Sequence, residues 1–303
     1  MPYGNSTYPF FLATFHYNPS VVVAAIALGG YTIITIISLV LTRRYGRGFM
    51  YIIPAMGLME MLGYATRIVV AKQETLNPYI ASALFILLPP IALALVNYIV
   101  AGRMLRVANK AVRVIFWEVS ADRVAKVFFW TDVACFFLQA SGSSLLAVGN
   151  VQVSNIGTAI VVLGLSIQFA FIVAYIWVLH RISTDPFFGL SEVQALKYVF
   201  VGLRITVFFL FVRNIYRIAE YATGFQGPIQ TTEWTMYVFE TLTIFLCFIT
   251  YCVFHFGRLL QNGNPHPQWI VEYELIKSGG KEPIVATARV DKGDDSVPEE
   301  GSA

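Results

Sequence analysis

Inside the apolar run from Phe200 to Thr223 stand four charged residues, Arg204, Arg213, Arg217 and Glu220. A basic residue near a bilayer centre costs about 2.5–3.5 kcal/mol on insertion scales, so three in one run require compensation. At about 100° per residue, Arg213, Arg217 and Glu220 share one narrow helical sector, and Arg204 faces almost the opposite way. Such a stripe must point into a bundle interior or a wet cavity, since lipid cannot solvate it. Charged and polar residues stand in other apolar runs: Glu60, Tyr64 and Arg67 on one helical face, Asp132 and Gln139 on another, then Asn97, Gln168 and Glu240. Counting Arg67, Arg204, Arg213 and Arg217 against Glu60, Asp132, Glu220 and Glu240 gives four of each sign. The chemistry open to such residues is ion pairing and the holding of a charged headgroup.

The elements that must position them are membrane spans. The chain of 303 residues is 57% hydrophobic and 13% charged, and its mean hydropathy is +0.65. A soluble protein would carry about 25% charged residues. Seven runs are long enough for about 30 Å of hydrocarbon: 21–41, 50–71, 78–102, 125–148, 156–180, 197–222 and 234–258. The fold class is therefore an all-α integral membrane bundle of seven transmembrane helices, with kinks expected at Pro54 and at Pro89-Pro90. Residues 1–20 form a short tail, 21–260 the membrane domain, and 261–303 a polar, mostly disordered tail.

Loop lysines and arginines orient the bundle. Sixteen lie on the side of the C-terminus and one, Lys72, on the other. By the positive-inside rule the N-terminus is outside and the C-terminus cytosolic. Asn5-Ser6-Thr7 is then a glycosylation sequon at Asn5 on the outer face. In this orientation Glu60, Arg67, Arg213, Arg217, Glu220 and Glu240 fall at depths where one outer-half cluster can form. Asp132 and Arg204 lie nearer the cytosol and are expected to pair with each other. A polar cavity opening outward, floored by Gln139 and Gln168, follows from the same depths.

Other chemistry is poorly supplied. The basic residues sit in loops between spans, which is no nucleic-acid signature. Cys135, Cys247 and Cys252 lie in apolar runs and read as packing residues. His180 and His255 are too few for a metal site, so a lipid hydrolase using them with Asp132 lacks ligands. No cofactor is expected. No Walker motif is present, and span seven has no lysine for a retinal Schiff base. The balanced charges themselves read two ways, as struts between helices or as the lining of a ligand site.

The arrangement resembles the fungal RTA-like membrane proteins, also called the lipid-translocating exporter family. The pieces that carry the resemblance are Tyr17-Asn18-Pro19-Ser20, Glu60-x-x-Gly63-Tyr64-x-x-Arg67, and Pro89 to Tyr98. They continue with Asp132, Gln139 and Gly142, then Gly164 with Gln168, then Arg213-x-x-x-Arg217-x-x-Glu220-x-x-x-Gly224, and Glu233-x-x-x-Tyr237. Glu240 replaces an Asp usual in the family, and His266-Pro267-Gln268 replaces His-Pro-Gly. The resemblance implies transport of, or tolerance to, amphiphiles such as sphingoid long-chain bases, sterol-like amines or porphyrins. It implies membrane lipids and an amphiphilic small molecule as partners. The plasma membrane is the expected location, with vacuolar and endoplasmic-reticulum membranes as alternatives. The competing reading is a heptahelical lipid sensor that binds without moving its ligand.

Overall fold

Apolar runs of this length close their backbone hydrogen bonds internally only as helices, and the computed structural model of the chain is a bundle of them. It describes residues 19–45, 48–73, 76–108, 112–114, 117–119, 121–146, 151–185, 193–223, 229 and 231–259. Six long helices come first: α1 Val21–Tyr45, α2 Ile52–Gln73, α3 Leu76–Ala108, α4 Ala121–Leu146, α5 Val151–Thr184 and α6 Gln194–Ala222. A 3-10 turn, Gly48–Tyr51, leads into α2. The seventh, α7, is composite: Glu233–Met236, a π-helical stretch Tyr237–Leu242, and Thr243–Val253. A last short helix, α8, is Phe256–Leu259.

Each helix packs on the next in sequence, α1 meets α7 to close the bundle, and α3 meets α6 across its middle. Six of the seven are long and apolar enough to cross a membrane. The remaining one, α4, has 26 residues, about 39 Å of helix, but is diluted by Asp132, Gln139 and three serines. Its packing between α3 and α5 places it in the bundle all the same. Large apolar side chains such as Ile26, Ile36, Leu163, Phe208 and Val253 stay exposed on the outside, as a lipid-facing surface requires.

The start of α2 and the loop before α4 add detail to this plan. Pro54 is the third residue of α2, where the first-turn N–H groups have no helical acceptor, so it costs no ladder bond. Between α3 and α4 lies a two-stranded antiparallel hairpin, β1 Val112–Val114 with β2 Trp117–Val119. Its β-branched and aromatic residues suit a strand, so the loop is not wholly irregular. Asn5 and the acidic C-terminal tail lie outside the described residues.

Close helix approach depends on glycine. A Cβ on Gly63 of α2 would stand 2.7 Å from Ile86 Cγ1 of α3. A Cβ on Gly142 of α4 would meet α5 at Val161 Cγ2, 2.6 Å, and at the Gly157 carbonyl oxygen, 2.7 Å. Small residues at such crossings are how membrane helices gain van der Waals contact. Because one obstacle at Gly142 is backbone, Gly142→Ala is expected to destabilise the protein by about 1–3 kcal/mol. Gly29→Ala, with nothing within 4 Å of the new atom, should be neutral or slightly stabilising. Thermal melts of the two variants in detergent check the contrast.

Candidate functional site

The polar residues of the bundle form two systems that meet at Arg213. The first is an ionic network between α2, α6 and α7. Arg213 Nη2 donates to Glu240 Oε1 at 2.7 Å, and Arg217 Nη1 donates to Glu240 Oε2 at 3.2 Å. Arg217 also donates to Glu220 Oε2 at 3.0 Å, three residues along the same helix. Glu240 is therefore bridged on both oxygens, which meets the demand that a buried carboxylate be fully hydrogen-bonded. Arg217 and Glu220 sit at the rim, with side chains 15% and 12% exposed.

Glu240 reaches both arginines from the π-helical stretch of α7. A π turn holds one more residue than an α turn and re-aims the side chains it carries. The turn is pinned from α1 and α2: Tyr31 Oη donates to the Thr241 carbonyl at 2.8 Å and Tyr64 Oη to Thr241 Oγ1 at 2.6 Å. The two rings stack 5.4 Å apart. Tyr64, expected to line a cavity, is instead a fully buried clamp on α7.

Arg67 is an ion-pair partner of Glu233 rather than of Glu60, at 3.6 Å, and lies 5.6 Å from the Tyr237 ring centre. The Ser20 N–H donates to both Glu233 oxygens, at 2.9 and 3.1 Å, tying the start of α1 to the start of α7. Glu60 is buried near mid-helix, and its Oε2 has no hydrogen-bond partner.

The second system is a small cavity among α3, α4, α5 and α6, about 20 Å³ in volume. Asn97, Tyr98, Asp132, Gln168, Arg213 and Asn214 supply its polar wall. Gln139 and Gln168 do meet, with Nε2 of the first donating to Oε1 of the second at 3.0 Å, but only Gln168 lines the cavity. Behind the wall, Asn97 ties four helices together. Its Oδ1 accepts from Thr206 of α6 at 3.1 Å and Tyr251 of α7 at 3.0 Å, and its carbonyl accepts from Tyr175 of α5 at 2.9 Å.

The expected pair of Asp132 and Arg204 does not form. Asp132 Oδ2 accepts from Tyr98 Oη at 2.9 Å. Arg204 is exposed and donates to Ser183 Oγ at 2.7 Å near the end of α5. Facing away from the arginine stripe, its long stem carries the guanidinium toward the nearer helix ends, as snorkelling side chains do. The roles of Glu233, Asn97, Tyr98 and Asn214 were missed. For Glu233 the signal was its place four residues before Tyr237 in the motif, read only as part of a resemblance. The histidines stay apart, His180 exposed and His255 buried, and no group of three metal-ligating residues occurs among the described residues.

The profile of the RTA1-like proteins matches residues 54–263, which contain both systems. The chain belongs to this family. It is 30% identical over 200 residues to Protein RTA1 of Saccharomyces cerevisiae, covering 64% of this chain and 62% of that one. It is 28% identical over 201 residues to Protoporphyrin uptake protein 1 of the same yeast, covering 65% of each. It is 24% identical over 242 residues to Probable lipid transporter atnI of Emericella nidulans, covering 75% of this chain and 63% of that protein. The matches thus span a little under two thirds of these curated relatives. No solved structure matches the chain.

Two mutant cycles test the pairings of this RTA1-like bundle. Arg213→Gln and Glu240→Gln, scored by thermal melts, are expected to couple by about 1 kcal/mol or more, each single change costing about 3–5 kcal/mol. Asp132→Asn and Arg204→Gln should simply add. Coupling in the second cycle would restore the pairing that the geometry denies.

Proposed function

We propose that the protein is a carrier for amphiphilic small molecules, taking a polar headgroup into the bundle while the apolar part stays against the helices. The carrying observation is a polar cavity inside a membrane bundle that shares a wall residue, Arg213, with a buried ionic network. Two relatives support it by name, one as a probable lipid transporter and one as a protoporphyrin uptake protein. Sphingoid long-chain bases and sterol-like amines are the proposed substrates, and the plasma membrane the proposed site, with the N-terminus outside.

The geometry constrains how this would work. Sites for drug-sized ligands measure about 300–1,000 Å³, far above about 20 Å³. On this reading the small cavity corresponds to a closed state, and admission of a headgroup requires helices to part. The carboxylates of Glu220, Glu233 and Glu240 are already held by arginines. An ammonium group must displace a guanidinium there, whereas a phosphate would displace a carboxylate. Glu60, with its free Oε2, needs no such exchange. A heptahelical sensor would share the same closed network, and flux separates the two.

Vesicles containing only this protein should take up or release labelled sphingoid base at least about tenfold faster than empty ones. Binding without flux would move the reading to the sensor. In cells, Glu60→Gln should lower tolerance to amine-bearing amphiphiles at unchanged protein level. A loss that only tracks protein level would make Glu60 a packing residue. For orientation, a C-terminal tag should be reached by protease only from the cytosolic side.

A further inference from the structure

With Glu233 included, the ionic network balances within itself: Arg67, Arg213 and Arg217 against Glu220, Glu233 and Glu240. Asp132 is left over. It is 1% exposed, and among the described residues no ion pair compensates it. A bare carboxylate at that depth is costly. Tyr98 occupies Oδ2, and Oδ1 has no partner.

Three other buried atoms, on residues that line the same cavity, are also unpartnered among the described residues: Asn97 Nδ2, Arg213 Nε and Asn214 Oδ1. Buried polar atoms nearly always find a partner, so four orphans around one space mark a site. A cavity of about 20 Å³ has room for one water, a molecule that makes two to four hydrogen bonds when buried. The amide of Asn97 is oriented independently, because its Oδ1 already accepts from Thr206 and Tyr251. Its Nδ2 is thereby left as an unpartnered donor on a residue of the cavity wall.

The set serves two states of Asp132. When the carboxyl is ionised, Asn97 Nδ2–H and Arg213 Nε–H supply donors through the water. When it is protonated, Oδ1–H donates to that water, which donates onward to Asn214 Oδ1. A purely structural acid needs one of these arrangements, and this wall provides both.

We propose that Asp132 is a proton-binding site of the bundle, loaded and unloaded through the water-sized cavity. The proton passes from a hydronium in the cavity to Oδ1 and returns to water on release, with no other bond changed. The groups facing Asp132 are Tyr98 from α3, Tyr175 and Gln168 from α5, Arg213 and Asn214 from α6, and Cys135 on α4 itself. Tyr175 already donates to Asn97 and Arg213 is bound to Glu240, so Asp132 is the group that exchanges. Among the described residues Glu60 is the other buried carboxylate without an ion pair, but it does not line this cavity. Because Arg213 borders both systems, the charge on Asp132 bears on the guanidinium that holds Glu240. If the carrier reading holds, on which this last step rests, the proton is the coupling ion.

Infrared difference spectra of the full chain in lipid vesicles, titrated over the pH range in which it stays folded, test the site directly. A protonated-carboxyl band should appear on acidification, vanish on alkalinisation, and be missing from Asp132→Asn. Tyr98→Phe keeps the acid, so it should keep the band and move it to higher frequency as the hydrogen bond is lost. This second variant decides the matter if Asp132→Asn fails to fold. A band that ignores pH, persists in Asp132→Asn or is untouched in Tyr98→Phe overturns the proposal. An imposed proton gradient should speed amphiphile flux about tenfold, and not in Asp132→Asn. Flux that ignores the gradient removes the coupling role, and absence of any flux beside an intact band removes the carrier reading alone.

Discussion

The bundle is organised by the need to cancel charge where water cannot reach. At a low effective dielectric, a lone buried ion is so costly that each guanidinium must be matched by a carboxylate and each carboxylate by donors. Glu240 carries most of this requirement, since it is shared by Arg213 and Arg217 at once. Its helix departs from α geometry there, and two buried tyrosines from α1 and α2 hold the departure in place. The backbone irregularity, the tyrosine stack and the ion pairs are thus one structure.

Most of the fold was legible in the sequence because length and hydropathy settle it. Seven runs of about 20 or more apolar residues allow few alternatives, and a helix lies along most of each one. The stripe of Arg213, Arg217 and Glu220 was legible too, since helical period alone puts these residues on one face. Pairing was harder. Depth along a helix does not determine which way a side chain faces across the bundle, and Asp132 and Arg204 share a depth while pointing to different neighbours. A balance counted over the spans also misled, because it included exposed Arg204 and left out Glu233 at a helix start. The π turn leaves no mark in composition: Tyr237–Leu242 reads as ordinary helix.

The hydroxyl groups were the less visible half of the site. Tyr31, Tyr64, Tyr98, Tyr175 and Tyr251 are all buried, and each donates across a helix interface, Tyr251 sharing its hydroxyl between the Leu93 carbonyl and Asn97 Oδ1. In a sequence such tyrosines look like aromatic packing. Burial makes the hydroxyl demand a partner, and in this bundle the partners include three backbone carbonyls, at Thr241, Asn97 and Leu93. They staple helices with a neutral bond where an ion pair would need a second charge.

These staples and the ion pairs divide the bundle into parts of unequal strength. The helices α1, α2, α6 and α7 are joined by the charge network and by the tyrosine clamp on Thr241. Against them, α4 packs on α3 and α5, and its polar tie to α3 is the Tyr98–Asp132 bond. The tie from α5 to α3 is the Tyr175 bond to Asn97. A hydrogen bond contributes about 0.5–1.5 kcal/mol, or 1.5–3 to a charged group, while breaking one partner from a buried ion pair costs about 3–5. The cavity lies on the seam between these parts. Parting α4 and α5 from the rest breaks two tyrosine bonds and the Arg204–Ser183 bond, and leaves Glu240 and its arginines in place. The same parting releases the Asp132 carboxyl from Tyr98, so widening the cavity and changing what holds that acid are one movement.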